Sequence, residues 1–137
     1  MDFEYSEEQK ILRRTIATFV EKEATPEYNR WCDENAEFPE KLWKGIAEMG
    51  LLGASTPENY GGTGGDIVDQ VIILEELSRG SAAAGGAYFL STCFGGKSIG
   101  FYGSEEQKKF YLSGMAEGRF RFALGLTEPG GGTDILA

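Results

Sequence analysis

The stretch RFALGLTEPGGGTD, residues 121–134, decides how this 137-residue chain is read. With Phe120 ahead of it, Phe122, Leu124 and Leu126 alternate with Arg121, Ala123, Gly125 and Thr127, the two-residue period of a half-buried β-strand. The strand then runs into Pro129 and three glycines. No earlier segment repeats that period. A lone strand leaves its backbone amides and carbonyls unmet, so this one is expected to pair with a sheet outside these residues, or with another copy by exchange. Its unpaired edge and apolar side chains are expected to drive association. The expected fold is all-α, a bundle of about five to six helices followed by one orphan β-strand.

Working back from the strand, the helices are marked by their caps. Ser6 and Gln9 form a capping-box pattern ahead of Ile11, Leu12, Ile16, Phe19 and Val20, a helical stripe that runs to Glu23 before Pro26. Tyr28 to Cys32 is a second segment. Pro39 suits the first turn of a third, whose buried side is Leu42, Trp43, Ile46, Ala47 and Met49 and whose end is Gly50. The run from Ser55 to Gly65 has the composition of a turn-rich loop.

Asp66 is placed to cap the next helix, with Ile67, Val71, Leu74 and Leu77 on its inner face, widened by Ile72 and Ile73. From Ala82 to Ile99 a helix rich in small residues follows. Each glycine there costs about 1 kcal/mol against alanine, which implies a packing reason for them. Ser104 and Gln107 repeat the capping box, and Phe110, Tyr111, Leu112 and Met115 form the last helix, stopped by Gly118.

Composition excludes several functions. Thirteen basic against 22 acidic side chains give a net charge of -9, which repels nucleic-acid backbones and anionic lipid. With no histidine, Ser-His-Asp, Cys-His and His-zinc chemistries are absent, and no metal site is expected. Cys32 and Cys93, far apart and without a CxxC spacing, read as reduced core thiols. Met1-Asp2-Phe3-Glu4 lacks the basic and apolar regions of a secretory signal, so the expected location is cytoplasmic. The uncharged run between Arg79 and Lys97 is too short and too rich in glycine to span a bilayer.

Read from its residues alone, the 127–134 loop is either a plain strand-ending turn or a ligand loop whose exposed amides and small hydroxyls cradle a phosphate or a planar heterocycle. It lacks the spacing of a P-loop or a dinucleotide-binding turn. The run FALGLTEPGGGTD resembles the signature of the flavin-dependent acyl-CoA dehydrogenases, where a strand ends in Thr-Glu-Pro-Gly-Ala-Gly-Ser-Asp. YSEEQKILRRTIATFVEKE, FPEKLWKGIAEMGLLGASTPENYGGTGGD and YGSEEQKKFYLSGMAEGRF are similar to upstream motifs of that family and occur in the same order. The likeness covers essentially the whole chain.

The resemblance implies that residues 1–118 are the family's N-terminal helical domain and 119–137 the truncated start of its middle β-domain, whose barrel is missing. It implies FAD as cofactor, an acyl-CoA thioester as substrate, α,β-desaturation as the reaction and an electron-transferring flavoprotein as partner, in an enzyme of lipid metabolism expected to be a homo-oligomer. By position, Leu124, Leu126 and Thr127 match residues that meet the flavin ring. Thr133 matches a serine at the flavin pyrophosphate and the acyl-CoA pantetheine. Ala87, Leu90 and Phe94 match the helix that lines the acyl-chain pocket, although core packing is the ordinary role of such residues.

Gly131 and Thr133 depart from the family's usual alanine and serine. The family's carboxylate base has no counterpart here, so no catalytic residue is expected within the chain, and these residues alone are expected to be inactive and to hold FAD weakly. Two other readings remain open: a non-catalytic helical interaction module using its last strand for pairing, and the N-terminal part of an acyl-CoA oxidase.

Overall fold

The computed structural model describes residues 4–133. Helix α1 spans Glu7–Glu23 and starts as its caps require: the Ser6 hydroxyl accepts from the Gln9 amide at 3.2 Å, and the Ser6 amide donates to the Gln9 side chain at 3.1 Å. Thr25 caps α2, Pro26–Glu34, with Pro26 in its first turn. Helix α3, Glu40–Glu48, has Pro39 at its N-cap rather than inside its first turn, and Gly50 follows it at φ 72°. The loop beyond carries two short 3-10 turns, Leu51–Gly53 and Glu58–Tyr60.

Helix α4 spans Ile67–Gly80 beneath an Asp66 cap that accepts from the Val68 and Asp69 amides at 2.7 and 3.0 Å. Helix α5, Ala82–Phe89, passes into a π-helical segment, Leu90–Gly96, and then α6, Lys97–Tyr102. After the Ser104 cap come α7, Glu105–Gln107, a second π segment, Lys108–Leu112, and α8, Ser113–Ala116.

Helix α1 lies along α4, and α4 along α5. Their shared core joins Ile16 and Val20 with Leu42, Trp43 and Ile46 of α3, Leu51, Leu52, Ile73, Leu77, Ala84 and Tyr88. A smaller cluster of Tyr60, Leu112 and Met115 holds the last helices, with Ile99 and Phe122 against it. The expected helical bundle is therefore present, and among the described residues the segment after Gly118 joins no strand ladder. Its single described β pairing is the short bridge between Glu128 and Gly131.

The inner face expected for α4 is corrected by the structure. Ile67 is 62 % and Val71 51 % exposed, while Gln70, Ile72, Ile73, Glu76 and Leu77 are buried. The helix is turned so that Ile73 and Leu77 meet the core and a charged residue goes inside. Glu76 is tolerated there because Arg13 Nε donates to it at 2.8 Å and Arg79 Nε at 2.9 Å, pairing the buried carboxylate from two helices.

Burial alone would raise the Glu76 pKa, but the Arg13 and Arg79 hydrogen bonds outweigh it and hold the carboxyl below its usual range. A depressed folded pKa contributes stability in full above the unfolded value of about 4.3 and loses it as pH falls through the lower folded value. Glu23 beside Lys41 and Glu105 beneath the Tyr60 hydroxyl are depressed likewise and act in the same direction. The Glu76→Gln variant is expected to be less stable than the parent at neutral pH and to lose less of its stability on acidification. Urea midpoints at neutral pH and at pH ~3.5, compared between the two proteins, check this.

Candidate functional site

The site begins with the helix that changes character at residue 90. Ala87, Leu90 and Phe94 recur at spacings of three and four and form one stripe. Ala87 packs against the main core and Leu90 is half-buried, whereas Phe94 is 38 % exposed and stacks edge-on against Phe89 with ring centroids 5.1 Å apart. Beside Phe89 a shallow recess continues over Ala82, Gly85 and Gly86 to Leu74 of α4. With the outward Ile67 and Val71, these residues leave α4 and α5 with an apolar face that the described helices do not cover.

The π segment has local causes. Thr92 donates its hydroxyl to the Tyr88 carbonyl at 2.8 Å, a back-bond that bends helices, and Gly95 and Gly96 hold regular helix least. The glycines also answer the packing expectation: a Cβ on Gly95 would fall 2.2 Å from the Phe122 ring, and one on Gly96 3.0 Å from the Met115 side chain. The first half of the terminal segment is therefore seated on the helices. The Phe122 amide donates to the Ser91 hydroxyl at 3.1 Å, and the Phe120 ring lies on Phe110 at 5.1 Å.

Trp43 Nε1 donates to the Gly118 carbonyl at 3.0 Å, and Arg121 pairs with Glu40 at 2.7 Å while lying 4.1 Å over the Phe38 ring. These four anchors fix residues 118–122 before the chain leaves the surface. The Phe122→Ala change is expected to cost about 1–2 kcal/mol of a half-buried ring. Removing its acceptor in Ser91→Ala is expected to cost about 1 kcal/mol. Limited proteolysis between Arg119 and Thr133 should speed up in both variants, and an unchanged cleavage rate would argue against the seating.

Beyond that anchor the chain is open. Leu124 is 44 % and Leu126 53 % exposed, and Thr127 and Thr133 are exposed. The Glu128 and Gly131 amides and carbonyls bond reciprocally at 2.8 and 3.1 Å, closing the turn around Pro129, and the Thr127 methyl lies over Gly132. Asp134, which ends the sequence motif, lies outside the described residues. Among the described residues no hydrogen bond or ring contact joins Leu124, Leu126, Thr127 or Thr133 to Ala87, Leu90 or Phe94, so the structure presents two separate groups. Sequence reasoning missed Ser91 and Arg121, which set the exit of the segment. The Gly95–Gly96 pair was the one local signal for the first, and Arg121 had none.

Both cysteines are free thiols; Cys32 is buried as expected of a core thiol, whereas Cys93 is half-buried within the π segment and not in the core. Among the described residues no cluster of His, Cys, Asp or Glu could hold a metal, and no helix is long and apolar enough to cross a membrane.

Residues 6–119 match the family model for the acyl-CoA dehydrogenase N-terminal domain. The chain belongs to the acyl-CoA dehydrogenase family. It is 35% identical to a probable acyl-CoA dehydrogenase of Bacillus subtilis, over 98% of this chain and 35% of that protein. The glutaryl-coenzyme A dehydrogenase solved with glutaryl-CoA superposes with a TM-score of 0.90 at 35% identity, covering 100% of this chain and 35% of the other. An acyl-CoA dehydrogenase from Bacillus anthracis solved in complex with FAD gives 0.85 at 38% identity, over 97% and 23%. The chain thus spans about a third of the length of most of these curated relatives and 22% of one of them.

Proposed function

We propose that this chain is the N-terminal helical domain of an FAD-dependent acyl-CoA dehydrogenase, with residues 119–137 opening the β-domain that follows. The observation that carries the reading is the match of residues 6–119 to the family's helical domain, and the apolar stripe of Ala87, Leu90 and Phe94, which runs from the core to the exposed Phe94 ring, supports it. In this reading the stripe is one wall for the acyl chain of the thioester, excluding water from it. Leu124, Leu126 and Thr127 would hold the flavin, and Thr133 would reach the flavin pyrophosphate and the pantetheine. These residues suit that role chemically: the 124–127 backbone makes no ladder bonds among the described residues, and Thr127 offers an exposed hydroxyl beside it. When bound, FAD supplies hydride acceptance from the acyl β-carbon.

The base that takes the α-proton is assigned to residues outside this chain, which by itself would then be inactive and hold FAD weakly. An electron-transferring flavoprotein is the proposed electron-accepting partner, and a cytoplasmic homo-oligomer the proposed setting. Incubating the enzyme that carries this domain with acyl-CoAs of graded length should yield 2-enoyl-CoA with electrons delivered to the flavoprotein or an artificial dye. Stoichiometric oxygen uptake instead would make it an acyl-CoA oxidase, and absence of any enoyl product would leave the interaction-module reading.

A further inference from the structure

A cavity of about 180 Å³ opens between the 55–57 loop, one side of the helix from Thr92 to Phe101, and Leu112. Thr92 and Gly100 lie two four-residue steps apart on a different face from Ala87, Leu90 and Phe94, so this space is separate from the stripe assigned to the acyl chain. Thr56 is only 5 % exposed and lines the cavity, yet its hydroxyl makes no hydrogen bond among the described residues. The hydroxyl oxygen is not sealed from solvent, so it can bond a ligand that enters the cavity. Thr92 gives its proton to the Tyr88 carbonyl and retains acceptor capacity only.

Lys97 stands half-buried in the same wall and makes no ion pair among the described residues, in a chain whose net charge is -9. Leu112, Phe101 and Pro57 supply the apolar part of the lining, and Ser55 adds a second hydroxyl. The volume is close to the ~150 Å³ of an apolar cavity that accommodates benzene, so it suits a short body rather than a long chain. One ammonium with the Ser55 and Thr56 hydroxyls matches a single negative charge, and a lone ammonium leaves a phosphate dianion undercompensated within an acidic protein.

We infer that this cavity binds a small monocarboxylate, its head on the Lys97 ammonium and the Thr56 hydroxyl and its short apolar body against Leu112 and Phe101. The site works independently of flavin and of the acyl-CoA reading, so its failure leaves that reading standing.

The test is a titration of the isotopically labelled chain, followed by amide NMR, with butyrate and benzoate, and with butyramide and inorganic phosphate in parallel. Saturable shifts centred on Thr56, Lys97 and Gly100 are expected with the carboxylates. Lys97→Met should weaken both carboxylates about tenfold or more while leaving butyramide unchanged. Nothing lies within 4 Å of a Cβ placed on Gly100, so in Gly100→Leu the side chain should fill the space and abolish carboxylate binding. The thermal midpoint should not fall, because leucine is the better helix former. The inference is overturned by absence of saturable shifts at tens of millimolar, by carboxylate affinity that Lys97→Met leaves unaltered, or by phosphate binding as tightly as butyrate. The Lys97→Met arm decides the matter even if the leucine variant fails to fold.

Discussion

Replacing Gly62 with alanine is expected to cost about 3 kcal/mol or more, because the added Cβ meets backbone that has no room to yield. It would stand 1.9 Å from the Thr56 carbonyl oxygen and 2.6 Å from that of Gly53. Both oxygens are already engaged: Thr56 accepts from the Gly64 amide at 2.9 Å, and Gly53 accepts from the Thr63 amide at 3.1 Å. Moving either carbonyl breaks the set of bonds that folds the loop back on the Leu51–Gly53 turn. In a chain of this size the thermal midpoint should drop by about 10 °C. Gly86→Ala is the contrasting variant, since nothing lies within 4 Å of its Cβ, and it should gain up to about 1 kcal/mol from helix propensity. Equal midpoints for the two variants would contradict the loop packing.

Ile73→Ala is expected to cost about 2–5 kcal/mol, as a fully buried side chain is cut back in a core where the space cannot collapse completely. Val71→Ala, two residues away on the same helix, should change stability by less than about 0.5 kcal/mol, because its side chain already faces outward. Urea denaturation of the two variants reads the orientation of α4 directly. Similar losses at both positions would return the helix to the face expected from periodicity alone.

That contrast marks where the sequence is legible. Helix starts at Ser6, Asp66 and Ser104 were readable because capping is decided within four residues, and the hydroxyl or carboxylate that does it is visible in the chain. The phase of α4 was not. Apolar residues at 67, 68, 71, 72, 73, 74 and 77 surround most of the helix, and periodicity cannot say which side meets α1 and which awaits another surface. Glu76 settles it through Arg13, and such a pairing across 63 residues leaves no local trace.

The candidate site divides in the same way. Ala87, Leu90 and Phe94 are named by the family likeness alone. The clamp of Arg121 on Glu40 and Phe38 spans 81 residues and appears only in three dimensions. In the sequence, the alternation of Phe120 to Leu126 has the period of one strand without a partner. Its first half uses that alternation to seat Phe120 and Phe122 on helices, and its second half keeps the exposed apolar edge.

The central claim is that these helices form the acyl-chain wall of a flavin-dependent dehydrogenase. Anaerobic addition of acyl-CoAs of increasing length to the enzyme carrying this domain, with and without Phe94→Ala, tests it most directly by following the flavin's visible absorbance. The account predicts that acyl-CoA bleaches the flavin and that Phe94→Ala shifts the preferred chain length. A flavin that no acyl-CoA bleaches, or a length preference that ignores residue 94, would contradict it.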